Sequence, residues 1–260
     1  MPVITQHPQG TFCWPELATT DAAAGKQFYS ALFGWESRDT DMGPNGFYTI
    51  FRLGDREAAA CYTLMQQLSA DGVPPNWGAY IAVEDADATV AKIPGLGGKL
   101  IQGPFEVMDF GRMAICSDPI GAIFCVWQAR KHIGISVAGE PGALGWAQLN
   151  GSNPERTKDF YAGLFGWTFV GEPMDGGTVY TTCMRADGVP VAGMMPMPPE
   201  VQAPAHWLSY FVVKDVDATT AQAAALGAKT YVAPRDVQEG LRIAVLADPQ
   251  GAVFGLMTSM

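Results

Sequence analysis

The second half of this chain repeats the first. Trp14-Pro-Glu16-Leu, Asp21, Phe28-Tyr29 and Leu32-Phe33-Gly34-Trp35 recur 132 residues on, as Trp146-Ala-Gln148-Leu, Asn153, Phe160-Tyr161 and Leu164-Phe165-Gly166-Trp167. Further along the offset is 130. There Trp77, Val83, Asp85-Ala-Asp87-Ala-Thr89, Arg112 and Asp118-Pro-Ile-Gly121 return as Trp207, Val213, Asp215-Val-Asp217-Ala-Thr219, Arg242 and Asp248-Pro-Gln-Gly251. A repeat of this length is a duplicated domain and not a solenoid. With 260 residues in all, each copy is long enough to bury its own core. The stretch Ala129–Gly142 has little periodicity and closes on Pro and Gly, which places domain 1 at 1–128, a linker at 129–142 and domain 2 at 143–260.

Local signals give each half the order βαβββ twice over, so four modules in two domains and an α+β class. Asp21 and Asn153 are N-cap residues, Pro154 suits a first helical position, and Gly34 and Gly166 supply left-handed stops. The helix after Asp215 runs to Gly227, whereas its counterpart after Asp85 meets Pro94 and should be shorter. Asp118-Pro-Ile-Gly121 and Asp248-Pro-Gln-Gly251 fit type I turns, and Gly54-Asp55 and Asp187-Gly188 fall where hairpins reverse the chain.

The formal net charge is −10 and both halves are acidic, so neither offers the basic field that a nucleic acid requires. Cysteines 13, 61, 116, 125 and 183 form an odd set without CxxC spacing; four sit in apolar runs and read as reduced, buried hydrophobes. No apolar run approaches the roughly 18 residues needed to span a bilayer, and the N-terminus lacks the pattern of a signal peptide. The expectation is a soluble cytoplasmic protein with neither nucleic-acid nor membrane partners. GxSxG, Walker A, HExxH and a strand-borne GxGxxG are all absent from the sequence.

A strand, a helix ending FY…LFGW, and a second βα unit closing on DPxG before the last strand resemble the vicinal oxygen chelate superfamily. That superfamily contains glyoxalase I, bleomycin-resistance proteins, fosfomycin-resistance enzymes and extradiol dioxygenases. The resemblance implies paired βαβββ modules curled into a cup for a small ligand, often over a divalent metal. Carried over position by position, the family's first-strand His falls on Trp14 and Trp146, its second His on Gly78 and Leu208, and its closing Glu on Cys125 and Gly255. The remaining acidic ligand falls within Glu57–Leu64, where Glu57 stands early in its strand. Trp and Gly cannot bind hard cations or zinc, so the usual metal site is not expected. An unusual set drawn from Glu16, Glu57 and His206 is the alternative.

Trp14 and Glu16 lie two apart on one strand and share a face, as do Trp146 and Gln148. Such a wall suits an apolar or aromatic molecule bearing a donor or a positive charge. The structural alternative makes Trp14 core and pairs Glu16 with an arginine. Arg112 and Arg242 could anchor a substrate carboxylate or phosphate, or form structural ion pairs with Asp109 and Glu239. His7 lies in the N-terminal tail and His132 in the linker. The leading expectation is a glyoxalase/bleomycin-resistance-like protein that binds a small molecule in its cup through Trp14, Trp146, Glu16 and Gln148 without the usual metal. The alternative is an enzyme. Its metal-dependent form would be a lactoylglutathione-lyase-like lyase, isomerase or dioxygenase acting on vicinal oxygens, and its metal-free form would use Glu16 as catalytic base. Four modules in one chain allow a monomer or a homodimer.

Overall fold

The computed structural model describes residues 3–70, 72–198 and 200–259. Module one comprises β1 (Phe12–Thr19), α1 (Ala22–Phe33), β2 (Glu36–Asp41), β3 (Phe47–Leu53) and β4 (Arg56–Thr63). A short α2 (Gln66–Ala70) leads into module two, β5 (Asn76–Ala82), α3 (Ala86–Lys92), β6 (Lys99–Val107), β7 (Gly111–Ser117) and β8 (Ile123–Ala129). Module three is β9 (Leu144–Gly151), α4 (Lys158–Phe165), β10 (Thr168–Pro173), β11 (Val179–Met184) and β12 (Pro190–Pro196). Module four is β13 (His206–Val212), α5 (Val216–Ala225), β14 (Lys229–Gln238), β15 (Leu241–Ala247) and β16 (Val253–Met257).

Each domain is one eight-stranded sheet, ordered β2-β3-β4-β1-β5-β8-β7-β6 and β10-β11-β12-β9-β13-β16-β15-β14. The two modules of a domain meet at their first strands, β1 against β5 and β9 against β13, both antiparallel. Helix ends follow the local chemistry. Asp21, Asp85 and Asp215 each accept a hydrogen bond from the backbone N–H three residues on, and Gly34 and Gly166 adopt φ 69° and 73°. Asn153 does not cap. A 3-10 turn over Pro154–Thr157 precedes α4, and the Thr157 hydroxyl donates back to the Pro154 carbonyl at 2.7 Å, which closes the tighter turn.

The repeated motifs turn out to be the contact between domains. Phe28, Tyr29, Leu32 and Phe33 of α1 pack in one buried cluster with Phe211, Ala244, Phe254 and Leu256 of domain 2. Reciprocally, Phe160, Tyr161, Leu164 and Phe165 of α4 are buried with Ile81, Ala114, Phe124 and Val126 of domain 1. Within this interface the Tyr29 hydroxyl donates to Asp248 Oδ2 at 3.0 Å and accepts from Trp77 Nε1 at 2.9 Å. Tyr161 donates to Asp118 Oδ2 at 3.0 Å and accepts from Trp207 Nε1 at 3.0 Å. The other oxygen of each carboxylate stays inside its own DPxG turn, where Asp118 Oδ1 takes the N–H groups of Ile120 and Ala122 and Asp248 Oδ1 those of Gln250, Gly251 and Ala252. Both aspartates are only 3% exposed, and burial holds their carboxyls above the usual range against the pull of these bonds. Trp35 and Trp167 complete the seam by donating to the Gly142 and Gly10 carbonyls.

Removing one hydroxyl leaves a buried indole N–H and a buried carboxylate oxygen each short of a partner. Tyr29→Phe and Tyr161→Phe should therefore each cost about 1–3 kcal/mol. Urea titration should register this as a lower midpoint at unchanged slope. Midpoints equal to wild type in both variants would show that the exchanged bonds are incidental.

Candidate functional site

Strand register fixes which side chains share the face away from the helices. Glu16 stands beside Ala60 on β4 and Gly78 on β5, Trp14 stands opposite Tyr80, and Tyr80 stands beside Cys125 on β8. Leu17, next along β1, points the other way and packs with Phe28 and Tyr29. Glu16 therefore lies in the cup of domain 1. Among the described residues no arginine pairs with it. Tyr48 donates to its Oε1 at 2.6 Å, Tyr80 donates to its Oε2 at 2.5 Å, and Trp14 Nε1 donates to the Tyr48 hydroxyl at 3.2 Å. Burial raises the Glu16 carboxyl above its ordinary value, opposed by these bonds and by the nearby His132.

The linker supplies a residue that sequence reading passed over. Ile135 N donates to the Cys13 carbonyl at 2.7 Å and Ser136 N to that of Glu57 at 2.9 Å, so the chain lies along the starts of β1 and β4. Gly134, at φ 103°, permits this, since a Cβ there would sit 2.2 Å from the Cys13 oxygen. The approach sets the His132 ring edge-on against Trp14 at 4.6 Å, with Trp127 at 6.1 Å and Phe110 at 6.4 Å. His132 Nε2 lies 3.1 Å from Glu57 Oε2, and that contact holds the Glu57 carboxyl below its usual range.

Domain 2 repeats the frame and changes the filling. Trp146 Nε1 donates to Tyr180 at 2.8 Å, as Trp14 does to Tyr48. Gln148 replaces Glu16 and donates to Asn150 Oδ1 at 2.7 Å. A Cβ on Gly193 would come within 1.9 Å of the Tyr180 hydroxyl, and one on Gly255 within 2.1 Å of the Tyr210 ring. Both tyrosines thus lie close against bare backbone. Buried Leu208, Tyr210, Val212 and Met257 form an apolar floor, with partly exposed Trp146, Leu241, Ile243, Val245 and Val253 packed on it. Met257 stands where domain 1 has Trp127.

The remaining sequence candidates lie elsewhere. Arg112 and Arg242 alternate with the cup-facing Met113 and Ile243 and so sit on the helix-bearing face. Arg112 pairs with Asp87 and Glu106, and Arg242 with Asp217 and Asp236, in place of the expected Asp109 and Glu239. Bidentate bonds to Asp87 and Asp217 occupy the fork that a substrate anion would need. His206 belongs to β13 of domain 2, where it meets Asn150 and the Pro204 carbonyl. It shares no site with Glu16 and Glu57, so those three do not form a metal centre.

The usual metal positions fare no better. Trp14, Gly78 and Cys125 do lie near one another on the cup face, but Cys125 alone has a ligating atom, and burial pushes its thiol far up. Each Glu16 oxygen already accepts a hydrogen bond from a tyrosine hydroxyl. Among the described residues no three His, Cys, Asp or Glu side chains converge as a metal site requires. The donor set does not fit a divalent cation.

A carboxyl whose folded pKa is raised binds its proton more tightly in the native state. Its contribution to stability is full below the unfolded value and is lost as pH climbs through the folded one. Measured against Glu16→Gln, wild type should accordingly lose stability as pH rises from about 4. A stability difference that stays constant with pH would contradict a carboxyl raised above its ordinary value.

With this geometry in hand, the comparisons with known proteins agree on both halves. Residues 143–256 match the Glyoxalase/Bleomycin resistance protein/Dioxygenase superfamily, and residues 15–127 match a Glyoxalase-like domain. The "Putative glyoxylase CFP32" of Mycobacterium tuberculosis is 40% identical over 258 residues, covering 99% of this chain and 98% of that protein. The "Anthracycline biosynthesis protein DnrV" of Streptomyces peucetius is 32% identical over 268 residues, covering 98% and 95%. The crystal structure of the Mn(II)-bound glyoxalase from Novosphingobium aromaticivorans superposes with a TM-score of 0.66 at 16% identity, over 96% of this chain and 83% of that one, a likeness of fold.

Proposed function

We propose, for a chain that belongs to the Glyoxalase/Bleomycin resistance protein/Dioxygenase superfamily, that domain 2 binds a flat apolar or aromatic molecule in its cup without a metal. One observation carries this reading: Trp146, Leu241, Ile243, Val245 and Val253 remain partly exposed around the buried Tyr210 floor. A ligand laid on that surface removes apolar area from water at about 25 cal/mol per Å². Gln148, Tyr180 and Tyr210 offer the few polar groups that orient it. Trp14 in domain 1 is only 5% exposed and makes a wall of its cup, so the tryptophans play unequal parts. The name of the Streptomyces peucetius relative, which refers to anthracycline biosynthesis, favours a fused-ring ligand. The metal-dependent lyase, isomerase or dioxygenase reading finds no support in the donor set.

Titration with 1,8-dihydroxyanthraquinone should quench tryptophan fluorescence equally with and without EDTA. Trp146→Ala should weaken binding at least tenfold, about 1.4 kcal/mol. Binding that EDTA abolishes, or that Trp146→Ala leaves intact, would overturn the reading.

A further inference from the structure

We infer that the cup of domain 1 is a separate, metal-free proton-transfer site in which Glu16 is the acid and His132 the base, acting on a small ketone that carries an aromatic ring. The inference is independent of the ligand assigned to domain 2.

Two titratable groups of opposite character border one indole. His132 packs edge-on against the Trp14 ring, whose Nε1 joins Tyr48 and, through it, Glu16. Glu57 bonds His132 Nε2 and thereby orients the imidazole, while Nδ1 meets no hydrogen-bond partner among the described residues. Glu57 is a positioning residue, since it acts through His132. Tyr48 and Tyr80 donate to the two Glu16 oxygens, so they hold the carboxyl while any proton of its own is left for a ligand. Burial favours that neutral form. Besides these phenols, Tyr62, Cys125 and His132 face Glu16, and His7 joins Glu57 near His132.

Access is retained. Glu16 is partly exposed, and the side chains of His132 and Glu57 are 21% and 34% exposed. Tyr48, Phe105, Val107 and Ile115 are partly buried apolar groups packed on the same cluster, which selects an aryl or alkyl body. In the step itself, His132 Nδ1 takes a proton from the carbon next to the carbonyl. The C–H electron pair becomes a C=C bond, the carbonyl π pair moves onto oxygen, and that oxygen takes the Glu16 proton. An enol, an imidazolium and a carboxylate result. Reversal with solvent-exchanged protons regenerates the ketone, so the observable event is hydrogen exchange and no oxidant or reductant is consumed.

The test is proton NMR of 1-phenylpropan-2-one in D2O with the full-length protein. Wild type should exchange the benzylic protons faster than buffer alone. Glu16→Gln and His132→Ala should each lose at least a hundredfold of the protein-dependent rate, the scale of general acid–base catalysis. Added imidazole should restore exchange to His132→Ala and not to Glu16→Gln, while circular dichroism shows both variants folded. If His132→Ala does not fold, Glu57→Gln replaces it and should lower the rate at saturating ketone with its half-saturation concentration unchanged. Exchange no faster than buffer, or full activity in the folded His132→Ala or in Glu57→Gln, would overturn the proposal.

Discussion

Two carboxylates sealed between the halves hold this molecule's architecture together. Asp118 and Asp248 each satisfy a tight turn in one domain with one oxygen and take a tyrosine hydroxyl from the other domain with the second. An unpaired carboxylate in such an interior is costly, so neither DPxG turn is fully satisfied without the opposite helix. Trp77 and Trp207 extend each chain by one more bond. The arrangement seats α1 and α4 between the domains and brings the helix-bearing faces of both sheets together. Trp77 and Phe211, from the central strands β5 and β13, meet directly at 5.0 Å.

With the helix-bearing faces committed to each other, the cups lie on the opposite sides of the sheets and are free to differ. The frame is retained in both, an indole donating to a phenol on the neighbouring hairpin. The contents diverge at several positions, among them Gly78, which becomes Leu208. Glu16 becomes Gln148, Cys125 becomes Gly255 and Trp127 becomes Met257. Domain 1 has a half-buried acid and a linker histidine at its cup, while Trp146 of domain 2 is more exposed than Trp14.

This division also explains what was legible in the sequence. FY…LFGW and DPxG stand out because Tyr29, Tyr161, Asp118 and Asp248 bond across the seam, so both copies need them. The four modules followed from helix caps and turn glycines. The face shared by Trp14 and Glu16 followed from strand alternation. The site's remaining members were harder to see. Tyr48 and Tyr80 recur at Tyr180 and Tyr210 with the repeat's own offsets of 132 and 130, a signal available in the sequence but weak beside the longer motifs. Arg112 was readable as an ion pair, yet its partner Asp87 lies 25 residues away on α3 and not beside it in sequence. His132 had no signal at all, because its place depends on Gly134 letting the linker approach Cys13. Local propensity does not encode such a contact.

The proposal of a metal-free cup rests on missing donors: among the described residues no three His, Cys, Asp or Glu side chains converge to hold a divalent cation. Elemental analysis of the purified protein after incubation with Mn²⁺, Ni²⁺, Zn²⁺ and Fe²⁺ in turn, followed by desalting, tests it most directly. Metal content far below one ion per chain in all four cases is the result this account predicts. Near-stoichiometric retention of any one ion, lost in Glu16→Gln, would contradict it.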